Sequence, residues 1–154
     1  MITIAVPLFF YMNLSRAIEI ATTAHKDQVD KYGQPYIGHV FRVMQMGRTE
    51  DEKIVGVLHD VVEDTSWTFE ALEQEGLAPH LLAALYCVTK LDEDEDYDHF
   101  VDRTLQNRLA CMVKLNDLTD NMDIRRMTDV KEKDIARLNK YLHAYRRIAA
   151  AVIQ

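Results

Sequence analysis

The chain has 154 residues, 48% hydrophobic and 28% charged, with five Gly and three Pro, a composition that fits one folded domain and excludes a linker or a disordered tail. Eighteen Lys and Arg against twenty-five Asp and Glu give a net charge of −7, which excludes a general duplex-binding surface, since such surfaces neutralise phosphates with excess cations. Cys87 and Cys111 lack CxxC spacing, which argues against a cysteine zinc site and a secreted disulfide framework and fits a reducing cytoplasm.

The opening stretch, MITIAVPLFFYM, is apolar, but it has no basic n-region or small-x-small cleavage site and is too short to span a bilayer. Residues 1–12 are read as an N-terminal extension, without export signal or membrane anchor, and residues 13–154 as the domain. A strand, a packing arm and an upstream start codon are all compatible with the extension.

Leu14, Ala17, Ile18, Ala21 and Ala24 follow helical spacing, with Asn13 or Ser15 as cap, and KYGQP breaks that helix. A second helix carries His39, Val40, Val43 and Met44 and is expected to stop at a left-handed Gly47. Thr49 and Glu52 form a capping box for a third helix carrying Ile54, Val57, Leu58 and Val61. Phe69 to Glu75 reads as a short helix ended by Gly76, and Pro79 opens one with Leu81, Leu82, Leu85 and Val88. The acidic run Asp92 to Asp96 reads as a solvated loop. Tyr97 to Leu105 and Leu109 to Met122 are two further helices, the second aligning Val113, Asp117 and Asn121 at spacing four. The last helix starts near Asp129, with Glu132 three residues on, and turns Ile135, Leu138, Leu142, Tyr145 and Ile148 to the core. The prediction is one all-α domain of six to eight helices.

The chemistry centres on LHDVVEDT, residues 58–65, where His59 and Asp60 are followed about one turn later by Glu63 and Asp64. Three carboxylates and an imidazole on an apolar helix are costly to bury unless paired, protonated or bound to a cation. His39 and Asp117, each in an apolar helical context, are the best candidates to complete a cation site. Two imidazoles and two carboxylates suit Mn²⁺, Fe²⁺ or Zn²⁺ better than Ca²⁺. Residue chemistry alone leaves open both a metal site and a set of hydrogen-bonded polar residues, the second being commoner. His25, His80, His99 and His143 read as exposed or hydrogen-bonded. Lys114, Arg125, Arg126, Arg146 and Arg147 are candidate phosphate partners, although such residues are more often solvated helix-face charges, and Tyr141 or Tyr145 could close a pocket, although their apolar spacing favours the core.

Three blocks, AHKDQVDKYGQPYIGHV (24–40), VLHDVVEDT (57–65) and VKLNDLTDNM (113–122), resemble in their order the hydrolase domain of the Rel/SpoT enzymes and the small alarmone hydrolases, within the HD phosphohydrolase superfamily. The resemblance runs over roughly residues 14 to 150. It implies an HD-type helical domain with one Mn²⁺ on His39, His59, Asp60 and Asp117, Fe²⁺ or Zn²⁺ being alternatives, and with Glu63 and Asp64 activating the attacking water. The implied reaction removes pyrophosphate from the 3′ position of (p)ppGpp to give GDP or GTP. Lys31, Tyr36 and Asn121 match substrate-contacting positions, and Lys114 is added as a phosphate partner. Asp30 stands where the long enzymes have an arginine that stacks on guanine, and it is expected to repel a polyphosphate. Val40 and Asn116 also depart from the pattern, replacing a proline and an alanine, and Asn116 is either a hydrogen-bond partner of Asp117 or exposed.

The length leaves no room for the synthetase domain of the long enzymes, so the expected activity is hydrolytic only. A pyrophosphorylated nucleotide is the expected partner, with no duplex nucleic acid and no membrane. Apolar helix faces would serve a core or a homo-oligomer interface alike. Two alternatives stay open: the same site acting on (p)ppApp or another phosphorylated nucleotide, and a non-catalytic nucleotide-binding HD domain.

Overall fold

The structure is a computed structural model that describes residues 10–153. The expected extension therefore lies mostly outside the described residues, but its end does not: Met12 is buried in the core, and its backbone N–H donates to the Gly76 carbonyl at 2.7 Å.

The described residues form α1 (Leu14–Ala24), α2 (Ile37–Met46), α3 (Glu50–Leu58), α4 (Val61–Asp64), α5 (Phe69–Gln74), α6 (Pro79–Val88), α7 (Tyr97–Leu105), α8 (Arg108–Asn121) and α9 (Glu132–Val152). A 3₁₀ turn spans Ile124–Arg126. Apart from the single-turn α4, eight helices make up the described residues, an all-α architecture within the expected six to eight. An isolated antiparallel bridge, Val29 to Pro35, closes the loop between α1 and α2. No helix among the described residues is long and apolar enough to cross a membrane.

Helix α3 is the central element, packed on α1, α2, α6 and α8. Ile54, Val55, Gly56, Val57 and Leu58 are all buried, so the C-terminal half of this helix is apolar all round, as an interior segment must be, while its first turn, Glu50 to Lys53, is charged. Gly56 faces α2: a Cβ there would stand 3.4 Å from the Met44 Cα, an ordinary contact that an alanine could also make. A second, smaller apolar cluster joins Val101, Cys111, Leu118, Ala144 and Ile148 from α7, α8 and α9. The two clusters leave the polar face of α8 between α2, α3 and α9, where the site forms.

Several local expectations are corrected. Gly47 is extended, with φ −63° and ψ 138°, so α2 ends without a left-handed residue. Thr49 caps α3 by accepting from Glu52 N–H at 3.1 Å, but the Glu52 carboxylate accepts from Arg48 N–H at 2.7 Å and not from Thr49. The last helix starts at Glu132, with the Asp134 carboxylate accepting from Lys131 N–H, two residues later than an Asp129 cap implies. Its buried face is Tyr141, Ala144, Tyr145 and Ile148, while Ile135 and Leu142 are exposed.

The third helix also stops sooner than expected. It ends at Leu58, and Asp60, at φ −104° and ψ 0°, turns the chain before α4 begins. This break lets His59 and Asp60 point together toward α8.

Candidate metal centre

Four side-chain atoms from three separate parts of the chain converge. His39 Nε2 from α2 and His59 Nε2 from the end of α3 stand 3.3 Å apart. Asp60 Oδ2 is 3.0 Å from His59 Nε2 and 3.5 Å from His39 Nε2. Asp117 Oδ1 from α8 is 3.2 Å from His39 Nε2 and 3.4 Å from His59 Nε2. Donors about 2.1 Å from a shared ion lie roughly 3.0–3.4 Å from one another, so these separations fit the edges of a coordination polyhedron. His39, His59 and Asp60 together form a buried group able to hold a metal ion, and Asp117 sits at the same point.

The outward atoms of both imidazoles are committed elsewhere. His59 Nδ1 meets the Gly56 carbonyl at 2.6 Å, and a carbonyl only accepts, so Nδ1 carries the proton. His39 Nδ1 meets Asp120 Oδ2 at 2.6 Å with the same consequence. Both Nε2 lone pairs therefore face the convergence point, as metal-ligating histidines require. The carboxylates are held as well: Tyr36 Oη donates to Asp60 Oδ2 at 2.5 Å, Lys114 Nζ to Asp117 Oδ2 at 2.8 Å, and Asn121 Nδ2 to Asp117 Oδ1 at 2.8 Å.

The field at this point favours positive charge. Burial opposes protonation of His39, but hydrogen bonds that the imidazolium would donate to the Asp117, Asp120 and Asp60 carboxylates prevail and push it up to about 11. Burial likewise opposes protonation of His59, and Asp60 and Asp117 push it up to about 10. Asp60 and Asp117 stay ionised despite burial, the first through the two imidazoles and the second chiefly through Lys114. Two protonated imidazoles edge to edge would repel each other, whereas one divalent cation satisfies both lone pairs and both carboxylates at once.

Glu63 and Asp64 border the same cavity and are reached by solvent. Desolvation, reinforced by Asp60 and Asp64, pushes Glu63 up to about 7, and desolvation together with Asp60 also raises Asp64. The cavity has a volume of about 340 Å³, and Lys31, Lys90, Lys114 and Lys140 line it beside the four carboxylates. A chain of net charge −7 thus gathers four lysines at one opening.

The structure brings all ten predicted site residues to this cavity or to its floor. His39 alone is absent from the wall of the larger cavity and borders a smaller neighbour, of about 170 Å³, instead. Three of the four predicted substrate contacts have other partners: Tyr36 holds Asp60, and Lys114 and Asn121 hold Asp117. Lys114 is buried rather than a solvated helix-face charge. Asp117 is held by Asn121, one turn on, and not by Asn116. His25 is buried, with Nδ1 2.8 Å from Gln28 Oε1.

The repulsion expected of Asp30 is cancelled. Its Oδ1 accepts N–H bonds from Tyr32 and Gln34, both at 2.9 Å, and its Oδ2 pairs with Arg126 at 3.1 Å. Arg126, read as a solvated charge, is instead mostly buried between Asp30 and Asp120. Asp120, Arg42, Lys90 and Lys140 were not singled out from sequence. The one available signal was Asp120 itself, a carboxylate one turn beyond Asp117.

No family model matches the chain. It is 27% identical over 143 residues to a guanosine-3′,5′-bis(diphosphate) 3′-pyrophosphohydrolase of Aquifex aeolicus, covering 85% of this chain and 20% of that protein. It is 33% identical over 138 residues to a probable GTP pyrophosphokinase of Mycobacterium leprae, covering 77% and 17%, and 28% identical over 123 residues to the bifunctional (p)ppGpp synthase/hydrolase SpoT of Escherichia coli, covering 71% and 17%. The chain thus spans about a fifth of the length of these relatives. A solved structure described as a metazoan ortholog of SpoT that hydrolyses ppGpp has the same fold, with a TM-score of 0.68, 22% identity and 90% of each chain covered. The resemblance seen in three sequence blocks therefore extends along most of the chain and to its fold.

Proposed function

We propose that this chain, Rel/SpoT-like in sequence and fold, is a cytoplasmic, Mn²⁺-dependent phosphohydrolase that removes the 3′-pyrophosphate of (p)ppGpp, leaving GDP or GTP. The observation that carries the reading is the convergence of His39 Nε2, His59 Nε2, Asp60 Oδ2 and Asp117 Oδ1 to within 3.0–3.5 Å beside Glu63, Asp64 and a ring of lysines. The relatives' names supply the substrate class.

His39, His59, Asp60 and Asp117 would hold the ion, with Fe²⁺ or Zn²⁺ as alternatives of similar ligand preference. When bound, it would supply Lewis-acid stabilisation of phosphoryl charge and acidify the attacking water. Tyr36, Lys114 and Asn121 orient the Asp60 and Asp117 carboxylates by the hydrogen bonds described above. Lys31, Lys90 and Lys140 face the cavity and offset the charge of the diphosphate.

Glu63, raised to about 7, has the basicity of a general base and takes the proton of the water, with Asp64 beside it to orient the nucleophile. The water oxygen forms a bond to the phosphorus attached to the 3′ oxygen as the bond between that phosphorus and the 3′ oxygen breaks. The 3′ oxygen takes up a proton, and pyrophosphate leaves.

The test incubates metal-stripped, Mn²⁺-reconstituted protein with ppGpp, ppApp and 5′-nucleotides and follows pyrophosphate and nucleoside diphosphate by ion-exchange chromatography. Pyrophosphate with GDP from ppGpp is the expected result. Release from ppApp alone assigns the site to adenine nucleotides. Nucleotide binding without release from any substrate assigns a non-catalytic binding role.

A further inference from the structure

Asp120 lies outside the four converging donors, yet it is among the most enclosed carboxylates of the chain, 4% exposed. It accepts from His39 Nδ1 at 2.6 Å, from Arg42 Nε at 2.7 Å and Nη2 at 3.2 Å, and from Arg126 Nη1 at 2.7 Å. Arg126 Nη1 also reaches the Asp120 carbonyl at 3.0 Å, while Nη2 reaches Asp30 Oδ2 at 3.1 Å. The guanidinium lies 5.7 Å from the centre of the Tyr32 ring.

Two properties follow from this wiring. The charges of Asp120 and Asp30 are matched by those of Arg42 and Arg126, so the network adds no net charge behind His39. It also joins two distant segments. Asp30 closes the turn before Tyr36 through its bonds from Tyr32 and Gln34, whereas Asp120 sits on α8, one turn beyond Asp117. Asp30, Tyr32, Arg126 and His39 line the smaller cavity of about 170 Å³, which meets the metal cavity at Lys31, Tyr36 and Asn121. Only a forked, planar side chain can pair with both carboxylates at once while resting on an aromatic ring.

We propose that Asp120 and Arg126 form a positioning bridge, in which Asp120 fixes the tautomer and ring plane of His39 and Arg126 locks that carboxylate to the Asp30 turn walling the smaller cavity. The proposal rests on the reading of His39 as a metal ligand and is independent of which nucleotide the enzyme hydrolyses. Both residues are positioning residues, acting on the ion through His39.

The test measures Mn²⁺ affinity, by competition with a fluorescent chelator, for the full chain and for Asp120→Asn, Arg126→Gln and the double variant. Asp120→Asn is expected to weaken Mn²⁺ about 10–100-fold, the usual effect of removing a partner behind a ligand. Arg126→Gln weakens it by less. The double variant is no worse than Asp120→Asn alone, because Arg126 acts through Asp120. In ¹H–¹⁵N spectra of the protein loaded with diamagnetic Zn²⁺, the His39 Nδ1–H should lose its downfield, strongly hydrogen-bonded shift in Asp120→Asn while that of His59 stays unchanged, which a general loss of stability would not produce.

Wild-type affinity in Asp120→Asn, or losses that multiply in the double variant, overturns the bridge while leaving the metal site standing. If the wild-type chain shows no Mn²⁺ affinity at all, the reading of His39 falls and the bridge with it. Should Asp120→Asn fail to fold, Arg126→Lys carries the test. It keeps the charge and loses the fork, so it must lose as much Mn²⁺ affinity as Arg126→Gln, and unchanged affinity refutes the bridge.

Discussion

Binding of Mn²⁺ to the metal-free protein should release protons, and the structure sets how many. His39 is pushed up to about 11 and His59 up to about 10, so at pH 8 positive charge resides on the imidazole pair. Their Nε2 atoms stand 3.3 Å apart, so the pair titrates as a unit and the second proton is held less firmly than the first. An ion at that point must displace whatever protons the two lone pairs carry. The expected release is therefore between about one and two protons per Mn²⁺ at pH 8. Two ordinary imidazoles with pKa about 6.5 would together release only about 0.06. Because protons and metal compete, apparent affinity should rise with pH, about tenfold per unit for each proton displaced. Calorimetric titration in buffers of different ionisation enthalpy gives the number as the slope of observed heat against buffer heat. Saturable binding with a release below about 0.2 proton would refute the reasoning, since the carboxylate field described here could not then be acting on both imidazoles.

The same shifts bear on stability. Both imidazoles have raised folded-state pKa values, so their contribution is fully present below about pH 6.5 and is lost as pH rises through about 10–11. The urea midpoint of metal-free protein should therefore fall between pH 7 and 9.5, and Mn²⁺ should flatten that fall. Glu63→Gln should retain Mn²⁺ affinity while losing about 10²–10⁴-fold in kcat. The wild-type rate should rise with pH through a midpoint at or below about 7, the value for Glu63 before any nearby ion lowers it, and this limb should vanish in the variant. Asp60→Ala should abolish both Mn²⁺ binding and turnover, and full activity in metal-free buffer would remove Asp60 from the site. Leu58 is completely enclosed at the end of α3, immediately before His59. Leu58→Ala should cost about 3 kcal/mol in urea denaturation, and a loss below about 1 kcal/mol would show that α3 is not the rigid centre of the fold.

The Asn13 and Thr49 caps, the Gly76 stop of α5, the first-turn Pro79 of α6 and the apolar spacings of α1, α3, α6 and α7 are local features, and they were legible from the chain alone because each is decided within one or two turns. The pairing of His59 with Asp60 and the line from Asp117 to Asn121 were legible for the same reason. Register was harder where local signals competed. Asp129 and Glu132 make a capping box on paper, yet the helix starts two residues later, where only the Asp134 carboxylate closes back on the Lys131 N–H, and packing against α7 and α8 leaves Ile135 and Leu142 outward.

What tertiary structure alone decided is the environment of each charge. His39 meets Asp120 across 81 residues of chain, and Asp30 meets Arg126 across 96. No periodicity spans such distances, so Asp30 read as a bare repulsive charge and Arg126 as a solvated one. The sequence determined which residues are costly to bury on an apolar helix. Folding determined their partners: α3 ends at Leu58, turns His59 and Asp60 onto α8, and brings α2 close enough for His39 to complete the group. The reason is physical, since a helix repeat is fixed by backbone geometry every few residues, whereas an ion pair depends on where separate helices dock.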